Sequence, residues 1–243
     1  MWLQAPVDEI DDRGRKHRTT PGKDRGRGCP QGAPISPLLA NIHMRRFVLG
    51  WKVLGHERRL QAKVVNFADD LVICCRGTGK EAMVTLRRMM QQLKLPVNEA
   101  KTRLVRVPDE AVDFLGYTIG RCYSWRTGRA YIGTRPSKQS VKRVCRQISE
   151  LTSRRWTFIE AEQRVSRINR ILVGWSNYFC LGPVSKAHRG VDAHAQHRLR
   201  QWLRAKHKVQ GQGFARFPDR VLYQDLGLIR VQGRPRIYPW ATA

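Results

Sequence analysis

From residue 135 onward, apolar residues return at intervals of three and four in three successive stretches, a period that helices satisfy and strands do not. Val141, Val144, Ile148 and Leu151 line the first stretch, Val165, Ile168, Leu172, Trp175 and Phe179 the second, and Val191, Ala195, Leu199 and Trp202 the third. Each set falls on one face of a 3.6-residue turn, so three amphipathic helices with a shared core are expected. Upstream the pattern changes. Lys63-Val64-Val65-Asn66-Phe67 and Leu71-Val72-Ile73-Cys74-Cys75 are short, apolar and partly β-branched, and they flank Ala68-Asp69-Asp70. That arrangement predicts a β-hairpin closed by an acidic turn.

The remaining text fills in around these signals. Ile35, Leu38, Leu39, Ile42, Met44, Phe47 and Val48 predict a helix opened by Ser36-Pro37, with Ser36 as N-cap and Pro37 in the first turn. Met83, Leu86, Met90 and Leu93 predict another over about residues 80–94. Leu104–Val107, Asp113–Ile119 and Ala130–Gly133 read as strands, residues 8–30 as a polar loop, and the tail from Arg230 as an extended arm. The expected fold class is α+β: a small antiparallel sheet with helices over residues 1–134, then an α-helical domain over 135–243.

Charge narrows the partner. Lys and Arg number 46 against 19 Asp and Glu, a net charge of +27. A chain so positive repels itself until a polyanion neutralises it, and phosphate backbones are the usual partner. Residues 134–243 carry 22 basic and 6 acidic residues, so the helical half holds the larger excess. No apolar run approaches the roughly 18–20 residues of a membrane span, and the first nine residues show no secretory leader. Six cysteines form no CxxC pair, which points to reduced thiols and a cytoplasmic, nucleic-acid-associated setting, without disulfide framework or zinc site. His194 and His197 stand three apart with no Glu or Cys to complete a metal site.

Asp69-Asp70 is the first place to look for a reaction. Adjacent carboxylates in a turn repel, and a hard divalent cation such as Mg²⁺ relieves that repulsion while also taking substrate phosphates. Two such ions about 4 Å apart clamp the attacking and leaving oxygens of phosphoryl transfer. Alone, the pair is a weak signal and reads more readily as ordinary turn chemistry. Upstream, Gly28-Cys29-Pro30-Gln31-Gly32-Ala33-Pro34 makes a tight loop with an amide at its apex, ahead of Ile35-Ser36-Pro37-Leu38-Leu39-Ala40-Asn41. Such a loop lets backbone approach a nucleotide closely.

Taken in order, Pro30-Gln31-Gly32, Ser36-Pro37-Leu38-Leu39-Ala40-Asn41, Phe67-Ala68-Asp69-Asp70, Asn98-Glu99-Ala100-Lys101-Thr102 and Phe114-Leu115-Gly116-Tyr117 resemble the palm of a group II intron reverse transcriptase/maturase. The stretch from Arg170 to Phe179 resembles the thumb-like maturase domain of that family, which binds intron RNA. The resemblance implies a partial polymerase palm followed by a helical thumb. Asp69 and Asp70 would then hold Mg²⁺, and Lys101 would act as a proton donor near the leaving pyrophosphate. For Lys101 a solvated helix-end lysine is the competing reading. Pro30, Gln31, Gly32, Ser36, Asn41 and Phe67 would line the nucleotide and template pocket, Phe67 standing where the family more often has Tyr. Gly116 and Tyr117 would meet the primer strand, unless Gly116 is a plain turn glycine. The implied partners are intron RNA, an RNA template with a DNA primer, and deoxynucleoside triphosphates.

The family needs a further catalytic Asp on an earlier palm strand after the fingers. Asp8, Asp11 and Asp12 lie in the expected polar loop and do not fit that place. The expectation is that these 243 residues alone do not polymerise DNA and belong with a fingers and palm segment supplied elsewhere. No His/Cys-rich nuclease module is readable, so DNA cleavage is not implied. Among the C-terminal arginines, Arg164, Arg167 and Arg170 are expected beside the apolar stripe, contacting RNA phosphates together with Arg154, Arg155, Arg198, Arg200 and Arg204, while the aromatics between them pack the core. The alternatives are a non-catalytic RNA-binding maturase and a degenerate fragment whose half-palm exposes strand edges.

Overall fold

The structure, a computed structural model, describes residues 7–10, 16–19, 34–68, 70–235 and 238. In chain order these form β1 (Val7–Ile10), β2 (Lys16–Thr19), α1 (Ser36–Val53), α2 (His56–Arg59), β3 (Ala62–Phe67), β4 (Asp70–Cys75), α3 (Gly79–Gln92), β5 (Val112–Phe114), β6 (Tyr117–Tyr123), β7 (Ala130–Pro136), α4 (Lys138–Leu151), α5 (Ala161–Tyr178) and α6 (Ser185–Lys206). The strands pair antiparallel as β1-β2, β3-β4 and β5-β6-β7. The chain divides into two compact units, residues 1–104 and 105–243. Thr134, where the sequence reading divides the chain, lies inside β7, and the three-stranded sheet lies in the same unit as the helical bundle.

In the first unit an indole joins helix to strand. Trp51 of α1 is fully buried and donates from Nε1 to the Ala62 carbonyl at the start of β3, 2.8 Å away. Phe47, Leu60, Ala62, Ala82, Leu86, Met89 and Met90 complete that core. Gly50 permits close approach of α1 and α3, since a Cβ there would lie 3.1 Å from the Met89 methyl. The first turns of α1 differ from expectation. Ile35, not Ser36, occupies the N-cap, Pro37 is the second helical residue, and Leu38 and Ile42 stay exposed.

Three further expectations are corrected here. Within the span read as a loop, Val7–Ile10 pairs with Lys16–Thr19, which puts Asp8 on a strand. Leu104–Val107 forms no strand; the Leu104 side chain instead lies against Gly79 at the start of α3. The stretch after Arg230 is not an extended arm over its described residues. Val231 is buried, and the backbone N–H groups of Val231 and Gln232 donate to the two carboxylate oxygens of Asp192 at 2.7 and 2.8 Å. Two charge-assisted bonds and an apolar anchor bind that segment to α6.

The helical core matches the periodicity that predicts it. Val144, Ile148, Val165, Ile168, Leu172, Val191, Ala195, Leu199, Trp202 and Leu203 are buried together. Ser137 caps α4, accepting from the Ser140 N–H at 3.1 Å. His194 links α6 to α4, with its Nε2 2.9 Å from both the Cys145 carbonyl and Ser149 Oγ. Burial, with smaller contributions from Arg198 and His197, holds its pKa below the usual imidazole value. The folded protein therefore keeps His194 neutral, while the unfolded chain takes up a proton near pH 6.5. Stability from this group is complete above about pH 6.5 and lost as the pH falls below it. Melting midpoints measured from pH 7.5 to 5.5 should fall with pH in the wild type, and fall less in His194→Gln.

Candidate nucleic-acid interface and acidic hairpin

The acidic hairpin is present, with a two-residue loop. Phe67 pairs with Asp70 as the last rung, and Ala68 follows Phe67 into the turn. Ala68 adopts φ 52°, a left-handed conformation that costs a non-glycine residue roughly 1–2 kcal/mol. The Asn66 side chain supports the turn by donating to the Ala68 carbonyl at 2.8 Å. Side-chain alternation divides the hairpin into two faces. Ala62, Val64, Asn66, Leu71, Ile73 and Cys75 turn inward, whereas Val65, Phe67 and Asp70 share the open face. Phe67 is 62% exposed, so its ring is available to a ligand instead of packing. No hydrogen bond or ion pair engages the Asp70 carboxylate among the described residues. Pro30, Gln31, Gly32 and Asp69 lie outside the described residues.

Asn41 is exposed on α1, and Ser36 begins that helix. Lys101 is exposed in a turn, not at a helix end. Its backbone N–H bonds to the carbonyl and side-chain oxygen of Asn98 at 3.1 and 3.2 Å. Glu99 is held instead by a two-pronged pair with Arg87, at 3.0 and 2.7 Å. No hydrogen bond or ion pair joins Lys101 to Asp70 among the described residues.

The expected continuous strand over 113–119 is broken by a tight turn. Leu115 and Gly116 both take positive φ, 50° and 78°, which is the geometry of a two-residue hairpin loop between Phe114 and Tyr117. Phe179 fills the space where a Cβ on Gly116 would sit, with its Cζ 3.0 Å away. Tyr117 is buried; its hydroxyl donates to the Tyr178 carbonyl at 2.5 Å, and the Tyr178 hydroxyl returns a bond to Leu115 at 3.0 Å. Gly116 and Tyr117, the residues expected near a primer, both have packing partners within the protein. They fasten this turn to the C-terminal end of α5, and burial raises the pKa of Tyr117 above its ordinary value.

The arginines separate into two groups. Arg164 was expected beside the apolar stripe, but it lies four residues before Ile168 and eight before Leu172, in the same column of the helix. It is 1% exposed. Its guanidinium stands 6.0 Å from the Trp156 ring and 5.8 Å from the Trp202 ring, with Nε and Nη2 lacking hydrogen-bond partners. Burial, then the charge of Arg167, pushes its pKa down. Arg198 serves the fold too, donating to the Ser149 and Thr152 carbonyls and to Thr152 Oγ1 at 3.1–3.2 Å, where α4 ends. Arg200 is buried, bonds the Phe217 carbonyl at 2.9 Å and pairs with Asp219 at 2.6 Å. Arg204 donates to the Gly211 carbonyl at 2.7 Å. Arg154, Arg155, Arg167 and Arg170 remain exposed, and Arg170 lines an open groove of about 550 Å³ along α5 with Glu162, Ser166 and Gly174.

A second exposed set escapes a reading based on helix periodicity. Arg121, Arg126, Arg129, Arg135, Lys138, Lys142, Arg143 and Arg146 are all exposed, on β6, β7, the turn between them and the outer face of α4. The sequence signal was available: from Phe114 to Ser149 there are eight basic residues and not one Asp or Glu. Asp113 and Glu150 border the run in sequence; Glu150 lies 3.9 Å from Arg146, and Asp109, a little further upstream, 3.5 Å from Arg121. Such exposed pairs contribute about 0–1 kcal/mol and leave both cations open to a stronger anion.

Among the described residues, no group of three or more His, Cys, Asp or Glu is arranged to hold a metal ion, and no helix is long and apolar enough to cross a membrane. Residues 4–119 match the family model for reverse transcriptase (RNA-dependent DNA polymerase), and residues 141–218 match that for the group II intron, maturase-specific domain. No curated protein gives a significant match to the chain.

Since Arg164 is buried with no counter-ion among the described residues, an apolar side chain of similar length should replace it without loss. Arg164→Met is expected to melt at or above the wild-type midpoint and to bind RNA as the wild type does. Calorimetry and filter binding check the two halves of that statement.

Proposed function

The chain belongs to the group II intron reverse transcriptase/maturase family, and we propose that its 105–243 unit grips intron RNA through the open cations of β6, β7 and α4. One observation carries this reading: eight neighbouring cations in sequence, all exposed, with no carboxylate among them. Phosphates displacing counter-ions from such a surface give tight, salt-sensitive binding that follows RNA shape more than sequence. The palm-derived part is taken to extend to about residue 134 and the thumb-like part from 135 to 243, with the protein cytoplasmic and RNA-associated.

The polymerase side of the proposal rests on the hairpin. Asp70 offers hard oxygen donors on an open strand face, a donor type that suits Mg²⁺, and with Asp69 it would hold that cation. Bound there, Mg²⁺ would neutralise charge during transfer of a nucleotide from a deoxynucleoside triphosphate to a DNA primer on an RNA template. Phe67, exposed on the same face, would pack against the nucleotide or primer end, and Lys101 would lie near the pyrophosphate. One acidic turn supplies few carboxylates for two ions, so these residues by themselves are expected to give no primer extension. Extension that Asp69→Ala abolishes would contradict this.

A maturase that stabilises folded intron RNA without polymerising is the second reading, favoured by the concentration of open cations in the 105–243 unit. Filter binding to a structured intron RNA tests the shared element. Lys142→Glu with Arg143→Glu should weaken binding roughly tenfold or more and reduce the salt slope by about 1 per lost phosphate contact. Asp70→Ala should leave affinity unchanged. Equal affinity for the charge-reversed protein would remove the proposal's support.

A further inference from the structure

The β6–β7 hairpin ends in a feature that phosphate contact does not use. Trp125 is 91% exposed, on a tip that is well organised. The Ser124 N–H donates to the Arg129 carbonyl at 2.9 Å, and the Gly128 N–H to the Ser124 carbonyl at 2.8 Å. The Thr127 and Arg129 N–H groups are taken up by Ser124 Oγ and Thr127 Oγ1 at 3.3 and 3.4 Å. Gly128, at φ 65°, supplies the left-handed residue that closes the turn. An ordered loop therefore presents an indole to water and gives up the burial such a ring usually contributes.

The base of the hairpin is fixed as firmly. Arg135 of β7 donates to the Arg121 carbonyl of β6 at 3.3 Å, and Tyr117 anchors the first rung on α5. Between base and tip, Tyr123 and Ile132 are exposed on one face, with Arg121 directly opposite Ile132 in the register. The Arg126 guanidinium lies 5.9 Å from the Trp125 ring centroid. Aromatic faces interleaved with cations, free of carboxylates from Phe114 to Ser149, match an unpaired nucleotide strand: rings for bases, guanidinium groups for phosphates.

We propose that Trp125 is a base-stacking residue, receiving an unpaired base of bound RNA on its ring while the flanking arginines hold the adjacent phosphates. This rests on the RNA-binding reading above and adds a contact of a different kind. Stacking is short-ranged and insensitive to salt, so it distinguishes single strands from duplex, in which the bases are already stacked and covered.

The test uses the full chain, a short single-stranded RNA oligonucleotide and the same strand paired with its complement. Trp125→Ala should weaken single-strand binding about tenfold at low and high salt alike, with the salt slope unchanged and duplex binding altered less than twofold. Trp125→Phe should recover most of the loss. Wild-type tryptophan fluorescence should be quenched by the single strand, and that quench should be missing in Trp125→Ala. Unchanged affinity and quenching in Trp125→Ala would overturn the inference and leave the RNA-binding reading standing. No binding of either RNA by the wild type would defeat that reading and this one with it. A blue shift with phosphatidylserine vesicles and none with RNA would also overturn it, assigning the ring to a membrane surface.

Discussion

The structure is governed by a surplus of positive charge that its own carboxylates cannot neutralise. With 46 basic and 19 acidic residues, most cations must be hydrated, used by neutral acceptors inside the protein, or left for an external anion. The 105–243 unit shows two of these outcomes side by side. Arg198 closes the end of α4 on carbonyls, Arg200 bonds a carbonyl and the nearby Asp219, and Arg164 sits between two indoles. Each is internal, and each contributes to packing as much as to charge. Apart from the bond of Arg135 to the Arg121 carbonyl and two exposed ion pairs, the cations on β6, β7 and α4 have no comparable internal use among the described residues, which is why the proposed RNA-facing surface is placed on them.

The same division separates what a sequence states from what it leaves open. The three long helices were legible because an apolar stripe at spacings of three and four has one solution, and the buried Ile148, Ile168, Leu172, Val191 and Leu199 follow it. The β3–β4 hairpin was legible because two β-branched runs flank an acidic turn. Periodicity does not report a turn whose cost is met by tertiary contacts, and so Leu115-Gly116 hid inside an apparent strand until Tyr117, Tyr178 and Phe179 were seen to hold it. Nor does it report which arginines a core can absorb. Arg164 shares a helical column with Ile168 and Leu172, yet its charge suggested the surface; two tryptophan faces made burial tolerable.

The acidic hairpin joins local strain to chemistry. Ala68 is held at a left-handed φ, where glycine would be the unstrained residue, and the Asn66 amide supports the turn. Strain of this kind persists where surrounding structure imposes it, and it gathers at functional turns. Its consequence is positional: β4 begins at Asp70, opposite Phe67, with carboxylate and ring on the same open face. A chain that packed this face would gain stability and lose the place proposed for a nucleotide.

Arginine-specific labelling with phenylglyoxal, read by mass spectrometry with and without intron RNA, tests the division of cations directly. Arg164 and Arg200 should resist the reagent in both states. Arg121, Arg126, Arg129, Arg143 and Arg146 should react in the free protein and be shielded once RNA is bound. Shielding that fell on Arg154, Arg155 and Arg170 while the hairpin and α4 arginines stayed reactive would contradict the assigned surface, as would an Arg164 that reacts freely until RNA covers it.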